Sequence, residues 1–348
     1  MKDAAVSVAI AGDVILGARN TNRLLSLQPD ELWSGVRGIA ADFWVANLET
    51  PCCKRCRPLR HKRVRFRSAP HALDLLKSLG VRAVSLSNNH AMDCGPIGLK
   101  ETLTACQRSG ILAFGAGLNL LHAAAPAIFP KYRVAFLGVS TCGATATSHH
   151  PGVAPYNPAI LFGTIKRLKG SGLRVVVMVH AGLEYCHIPS PSQVRIFRAI
   201  AAMGADAVIG CHTHCVQPVE LHQGVPIIYG LGNFVFDFVR GERFRRTRTG
   251  CVALLRFAER LDVSLFLVRL NFWGLPRVQK RLAFHDFNRC LGLDGWMAKV
   301  ETFGRSSAHV RTHHRRILCE YLLACDVKAV VSYAIRKMAR WFGRLEGR

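Results

Sequence analysis

Residues Ala205-Asp206-Ala207-Val208-Ile209-Gly210-Cys211-His212-Thr213-His214 read as a short buried strand that runs out into a His-x-His pair. In a regular strand the two imidazoles share a face, because side chains alternate. Where the backbone leaves strand geometry, both can instead turn into one cleft. Imidazole is the commonest metal ligand, so His212 and His214 form a candidate metal clip.

The same arrangement recurs on either side. Ser7 to Gly12 is an apolar strand that delivers Asp13, and the buried run Ile39 to Ala46 delivers Asn47, Leu48 and Glu49. Val81 to Leu86 delivers Asn88-Asn89-His90, and Leu173 to Val179 delivers His180. Helical stretches lie between them: one opens at Ala69-Pro70 and is closed by Gly80, and others cover about 95–109, 157–169 and 190–203. Strands alternating with helices on this scale give a layered α/β fold. Ile227-Ile228-Tyr229, Cys251 to Phe257 and Val263 to Leu270 have shorter connections and read as antiparallel strands closing a second sheet.

In open α/β sheets ligands bind at the carboxyl ends of strands. Asp13, Glu49, Asn89, His180, His212 and His214 are therefore expected to converge on one crevice. Imidazole, carboxylate and amide oxygen suit one or two divalent ions such as Mn, Fe or Zn, which polarise a bound ester or amide. His90, beside Asn89, is placed to act as general acid, with Asp93 three residues on to orient it.

Composition narrows the partners. Lys plus Arg number 47 against 22 Asp plus Glu, a formal net charge of +25, and such a field attracts polyanions or an anionic membrane surface. Eight of the cations fall between Lys54 and Arg67. Arg65 and Arg67 are candidates to grip a substrate anion, since guanidinium binds carboxylate in bidentate fashion. No nucleic-acid motif accompanies the charge, so nucleic acid is not the expected partner. The 13 Cys are odd in number and scattered, as in Cys106, Cys142, Cys251 and Cys290, which fits reduced thiols inside a cell. Cys52-Cys53-Lys54-Arg55-Cys56 is a cluster without a second half at zinc-finger spacing. The apolar run Ala4 to Ala11 is too short to span a membrane and leads straight into Asp13, so a cytoplasmic or peripheral protein without signal peptide or transmembrane helix is expected.

The pattern changes near Asn271, dividing the chain into 1–270 and a helical extension over 271–348. At its end Val327, Val330, Val331, Ala334, Ile335, Met338, Phe342 and Leu345 keep a helical period. Lys328, Arg336, Lys337, Arg340 and Arg344 take the other face, a basic amphipathic helix of the kind that lies on anionic membrane.

Several segments together resemble the CapA family of capsule and poly-γ-glutamate biosynthesis proteins. They are Gly12-Asp13-Val14-Ile15-Leu16-Gly17, Asn47-Leu48-Glu49-Thr50-Pro51, Ser87-Asn88-Asn89-His90-Ala91-Met92-Asp93-Cys94-Gly95 and Leu231-Gly232-Asn233-Phe234-Val235-Phe236-Asp237. His180-Ala181-Gly182-Leu183-Glu184-Tyr185 and the His212/His214 segment follow in the family's order. The likeness implies a four-layer α/β/β/α sandwich of the calcineurin-like metallophosphoesterase type. It further implies that Asp13 and His214 bind a first metal, Glu49 bridges, and Asn89, His180 and His212 bind a second. Ile15 stands where phosphoesterases of that type carry a further His, which implies a weaker first position. Glu184 and Asn233 match family positions and are candidate substrate contacts; the Gly-Asn-Phe turn also suits Asn233 as a left-handed residue. The implied function is a metal-dependent hydrolase or transferase acting on an amide or phosphoester of an acidic polymer such as poly-γ-glutamate. The alternative is a non-catalytic polymer-binding component of a membrane-associated synthesis complex.

Overall fold

The computed structural model describes residues 5–17, 21–58, 62, 64–236 and 246–309. Its first eight strands are β1 (Val6–Ile15), β2 (Phe43–Leu48), β3 (Val81–Ser85), β4 (Leu112–Phe114), β5 (Ala116–Gly117), β6 (Ala127–Phe129), β7 (Val134–Ser140) and β8 (Gly152–Val153). The rest are β9 (Arg174–His180), β10 (Ala207–Cys211), β11 (Val219–His222), β12 (Val225–Ile228), β13 (Asn233–Phe236), β14 (Thr249–Phe257), β15 (Leu261–Leu270) and β16 (Pro276–Ala283).

Every residue of β1 except Ser7 is buried, which is what a strand covered on both faces requires. It lies inside an eight-stranded sheet ordered β16-β15-β14-β1-β2-β3-β4, with β13 also paired to β1. β1 to β4 run parallel, whereas β14 is antiparallel to β1. A six-stranded sheet is ordered β11-β12-β10-β9-β7-β6, with β12, β10, β9 and β7 parallel. The chain is thus a mixed α/β protein.

Among the described residues three large apolar cores hold it together. Val8, Ile10, Phe43, Val45 and Ala83 of the larger sheet share one core with Phe136, Val176, Met178 and Ile209 of the smaller. Phe43 and Phe136 meet edge to face at 6.2 Å there. The other face of the larger sheet is closed by residues such as Leu73, Leu76, Leu99 and Cys106, from the helices Leu73–Ser78 and Gly95–Arg108. The other face of the smaller sheet receives Leu161, Ile165, Phe197 and Ile200 from the helices Pro158–Gly170 and Pro191–Ala202. Both of these helices start at side-chain caps: Asn157 accepts from Ala159 N and Ile160 N, and Ser190 from Gln193 N.

Three expectations from the sequence need correction. The three later apolar runs do not close one sheet. β12 joins β10 in the smaller sheet, while β14 and β15 extend the larger one beside β1, because a period of two identifies a strand but not its neighbour. The sheet also runs past residue 270. β16 pairs with β15, with only Pro276 and Leu282 buried, as an edge strand rather than part of a helical extension. The helix Trp296–His309 follows, and Trp296 and Val300 pack into the core under Tyr229 and Phe197. The basic amphipathic helix expected at the end of the chain lies outside the described residues. Thirdly, the thiols are not all reduced: Cys56 and Cys94 form a disulfide, their Cα atoms 4.3 Å apart. No described helix is long and apolar enough to cross a membrane.

Gly210 in β10 has no room for a side chain, since a Cβ there would lie 1.8 Å from the carbonyl oxygen of Tyr229. Gly210→Ala is expected to cost about 3 kcal/mol, at the upper end for overpacking, because the obstacle is backbone. Urea unfolding tests this, and an unchanged midpoint would show that the strands separate freely at that point.

Candidate metal centre

All the ligand-type residues named above lie where strands end. β1 carries Asp13, and the register against β2 and β13 shifts beside it, while Asp13 N donates to Gly232 O at 2.9 Å. β2 carries Asn47 and releases Glu49, β3 leads into Asn88-Asn89-His90, and β9 ends on His180. β10 ends on Cys211, after which the backbone turns sharply: φ is +94° at His212 and +54° at His214. Side-chain-bearing residues avoid that region, and such strain costs of order 1–3 kcal/mol per residue. This departure from strand geometry brings both imidazoles to the same crevice. The chain is held there by Tyr185 N donating to Thr213 O at 2.7 Å, and by Thr213 Oγ1 donating to Cys215 O at 2.9 Å.

Asp13, Glu49 and His214 are buried and place three ligand atoms within 4.8 Å of one another. Asp13 accepts from Asn47 Nδ2 at 2.8 Å and from His212 N at 3.2 Å, and lies 3.2 Å from His214 Nδ1. Burial works against ionising Asp13, but the His214 hydrogen bond and charge prevail and hold its carboxyl below the usual range. Burial likewise opposes a charged His214, yet Glu49 and Asp13 outweigh it and raise the ring to about 10. Glu49 is pushed well above the ordinary carboxyl value by burial and by the neighbouring Asp13. Its Oε2 is buried without a hydrogen-bond partner among the described residues.

Beside this group lies a second, formed by His180, His212 and Cys142, again with ligand atoms within 4.8 Å. His180 Nε2 is 3.1 Å from Asn89 Oδ1, and its Nδ1 is 3.4 Å from Asn47 Nδ2. The His180 and His212 rings are 4.5 Å apart. Burial, then the neighbouring His212, drives His180 well below the ordinary imidazole value; burial takes His212 to about 4. His212 Nδ1 is also buried without a hydrogen-bond partner among the described residues. Glu49 Oε2, a buried oxygen without a partner among the described residues, stands among carboxyl and imidazole groups, the donor chemistry a divalent ion satisfies, so the residues fit such an ion.

His90 borders both groups. Its Nδ1 is 2.7 Å from Asp93 Oδ2, which leaves Nε2 facing Glu49 Oε2 at 3.9 Å. Asp93 also accepts from Phe66 N at 2.7 Å, and the Phe66 ring lies 4.2 Å from His90. Lys62 Nζ donates to Asn89 O at 2.5 Å, forms an ion pair with Asp93 Oδ1 and lies 3.0 Å from His90 Nδ1. Burial lowers the His90 pKa despite Asp93. Lys62 was not singled out in the sequence, and Cys142 was named only among the scattered thiols. Among eight cations in one loop nothing marks Lys62, whereas Cys142 could have been found from its place just past the apolar run that forms β7.

The remaining candidates lie further out. Arg65 and Arg67 are exposed, with Arg65 Nε donating to Lys62 O at 2.7 Å and Arg67 Nη1 to Lys54 O at 3.2 Å. The structure does not bring them into the buried groups. Glu184 is half-buried, and its charge favours protonation of His212 and His214. Asn233 is buried at the start of β13, accepting from His214 Nδ1 at 2.9 Å and donating to Thr247 O at 3.0 Å. The left-handed residue of that turn is Gly232, φ +67°, not Asn233. Ile15 is fully buried with Phe66, Phe236 and Leu270.

The disulfide joins the Lys54–Arg67 loop to the start of the helix Gly95–Arg108, one residue after Asp93. Digestion without reductant is expected to yield peptides linked through Cys56 and Cys94 that separate on reduction. Recovery of both as free thiols would contradict the bond.

The "PGA biosynthesis protein CapA" of Bacillus subtilis is 31% identical over 244 residues, covering 68% of this chain and 64% of that protein. The "Capsule biosynthesis protein CapA" of Bacillus anthracis is 28% identical over 288 residues, 78% of this chain and 69% of its own length. A "Probable polyglutamine synthesis accessory protein" of Mycobacterium tuberculosis is 27% identical over 243 residues, 64% of each chain. This chain therefore spans about two thirds of the length of these relatives. The family described as "Bacterial capsule synthesis protein PGA_cap" matches residues 7–238, the stretch that runs from β1 to just past β13 and holds both ligand groups. The chain belongs to the bacterial capsule synthesis protein PGA_cap family.

Proposed function

We propose that this chain is a metal-dependent hydrolase or transferase that acts on an amide or phosphoester of an acidic polymer, of the poly-γ-glutamate class, in capsule synthesis. The observation that carries this reading is the pair of adjacent ligand groups, one with the unpartnered Glu49 Oε2, bordered by the His90–Asp93 pair. Asp13, Glu49 and His214 would hold one divalent ion, and His180, His212 and Asn89 a second. Bound there, an ion supplies Lewis-acid polarisation of a carbonyl or phosphoryl oxygen. Asp93 holds His90 through Nδ1, so Nε2 faces the centre and, in the doubly protonated ring, would be the atom that hands a proton to the leaving group. The formal charge of +25 and the exposed Arg65 and Arg67 suit a polyanionic substrate, and the relatives' names supply the polymer class. The order helix, sheet, sheet, helix supports the proposal of a four-layer sandwich of the calcineurin-like type, carried largely by residues 1–270 and completed by β16.

The test is the metal content of the purified protein beside a His212→Ala/His214→Ala variant. One or two divalent transition ions per chain, lost in the variant, are expected. A chain that binds none after incubation with Mn, Zn or Fe(II) under reducing conditions would overturn the enzymatic reading. Salt-sensitive polymer binding without metal would then favour the non-catalytic role, which the net charge also suits.

A further inference from the structure

The two ligand groups differ in chemistry. The first offers two carboxylates and one imidazole, whereas Cys142 gives the second a sulfur beside two imidazoles. The position of that sulfur is fixed by the fold. β7 pairs with β9 so that Ser140 lies opposite His180, and the chain then turns through Thr141-Cys142-Gly143. The Ser140 hydroxyl donates to Cys142 O at 2.5 Å and accepts from Cys142 N at 3.1 Å, clamping the peptide on both sides. Thr141 N donates to His180 O at 3.1 Å. Gly143 sits at φ +101°, with a would-be Cβ 3.0 Å from Asn89 Cα, so the turn is pressed against the Asn89 segment. The result is Cys142 Sγ at 3.9 Å from His212 Nε2. Around a tetrahedral zinc ion with ordinary bond lengths, sulfur and nitrogen stand about 3.6 Å apart. A movement of a few tenths of an ångström closes that difference.

We propose that the Cys142 thiolate is a protein ligand of the ion held by His180 and His212. It makes this position a Cys-His-His set that selects thiophilic ions of the Zn²⁺ type, while Asp13, Glu49 and His214 form a harder partner position. The proposal rests on the metal-dependent reading above and adds a ligand and a selectivity to it. As the sulfur–metal bond forms, the S–H bond gives its proton to solvent; no electron is transferred. Thiolate and imidazole donors favour Zn²⁺ or Co²⁺ over Mn²⁺ or Mg²⁺.

The experiment is a titration of the metal-free, full-length protein with Co²⁺, anaerobically and with a phosphine reductant. Wild type is expected to show visible d–d bands together with a near-ultraviolet sulfur-to-cobalt charge-transfer band. Cys142→Ser should keep the d–d bands and lose the charge-transfer band, with Zn²⁺ affinity lowered at least about tenfold. Cys211→Ser, which removes the buried thiol next to His212 on the Asp13 side, should keep both. Visible bands without a charge-transfer band in the wild type, or a charge-transfer band that survives Cys142→Ser, overturn the sulfur ligand and leave the metal reading intact. Absence of both bands in a folded wild type sinks the metal reading and the proposal together.

Discussion

His90→Ala is expected to reduce turnover of an amide or phosphoester substrate by about 10²–10⁴-fold, the usual worth of a positioned general acid, while the bound metal remains. The ring is poised on one side only. Asp93 Oδ2 takes Nδ1 at 2.7 Å, and Nε2 faces the Glu49 side of the centre at 3.9 Å. Asp93→Asn should lower turnover less than His90→Ala and shift its pH profile, because the ring remains but its partner can no longer stabilise the charged form. Steady-state rates on a panel of γ-glutamyl amides and phosphoesters, with metal content measured on the same preparations, provide the check. Unchanged turnover in His90→Ala on a substrate the wild type cleaves would remove His90 from the mechanism.

Glu49→Gln should have opposite effects on two properties. The carboxylate is fully buried beside Asp13, and its Oε2 has no partner among the described residues, a cost the metal-free fold bears by itself. His214 offsets part of this, but burial and Asp13 outweigh it, as the raised pKa of Glu49 indicates. The amide keeps the shape and gives up the charge. A carboxyl whose folded pKa is raised costs stability at neutral pH, and the amide has no such ionisation to lose, so the metal-free variant should be more stable than wild type at neutral pH. Its capacity for the ion at Asp13 and His214 should fall at least about tenfold, by comparison with losses seen on removing even outer partners of a metal. Thermal unfolding with and without a chelator separates the two effects. A variant less stable than wild type in the chelator would mean that Glu49 already has a compensating partner, and its assignment as a ligand would lose its main support. Such a trade of stability against function is common where charged groups are held ready for a ligand.

The strand-end residues were legible because each signal is local: an apolar run of strand length followed by a ligand-type side chain. Asp13, Glu49, Asn89, His180, His212 and His214 needed only parallel strands to bring them together, and the two sheets supply these. Features created by contacts between distant parts of the chain were not legible. The pairing of Cys56 with Cys94 joins residues 38 apart and depends on how one loop seats against one helix start. Lys62 acquires its distinction from Asp93 and His90, not from its neighbours in sequence. The assignment of β12 to one sheet and of β14 and β15 to the other depends on which edges were vacant, a property of the assembled sheets. β16 was missed because Pro-Arg-Val-Gln-Lys-Arg-Leu-Ala, with three cations in eight residues, lacks an apolar run, as suits an exposed edge.

The position of β1 carries a consequence for how the protein is born. Val6 pairs with Phe257 and Ala11 with Val252, so β1 receives this neighbour only after about 250 more residues have been made. At 5–20 residues per second that is a wait of roughly 12–50 s. Meanwhile β2 can already cover one side of β1, and the other side stays an open, apolar strand edge of the sort that invites pairing with another chain. Docking of β14 onto β1 must follow that wait, and the interval is one in which the nascent edge is exposed to misassembly.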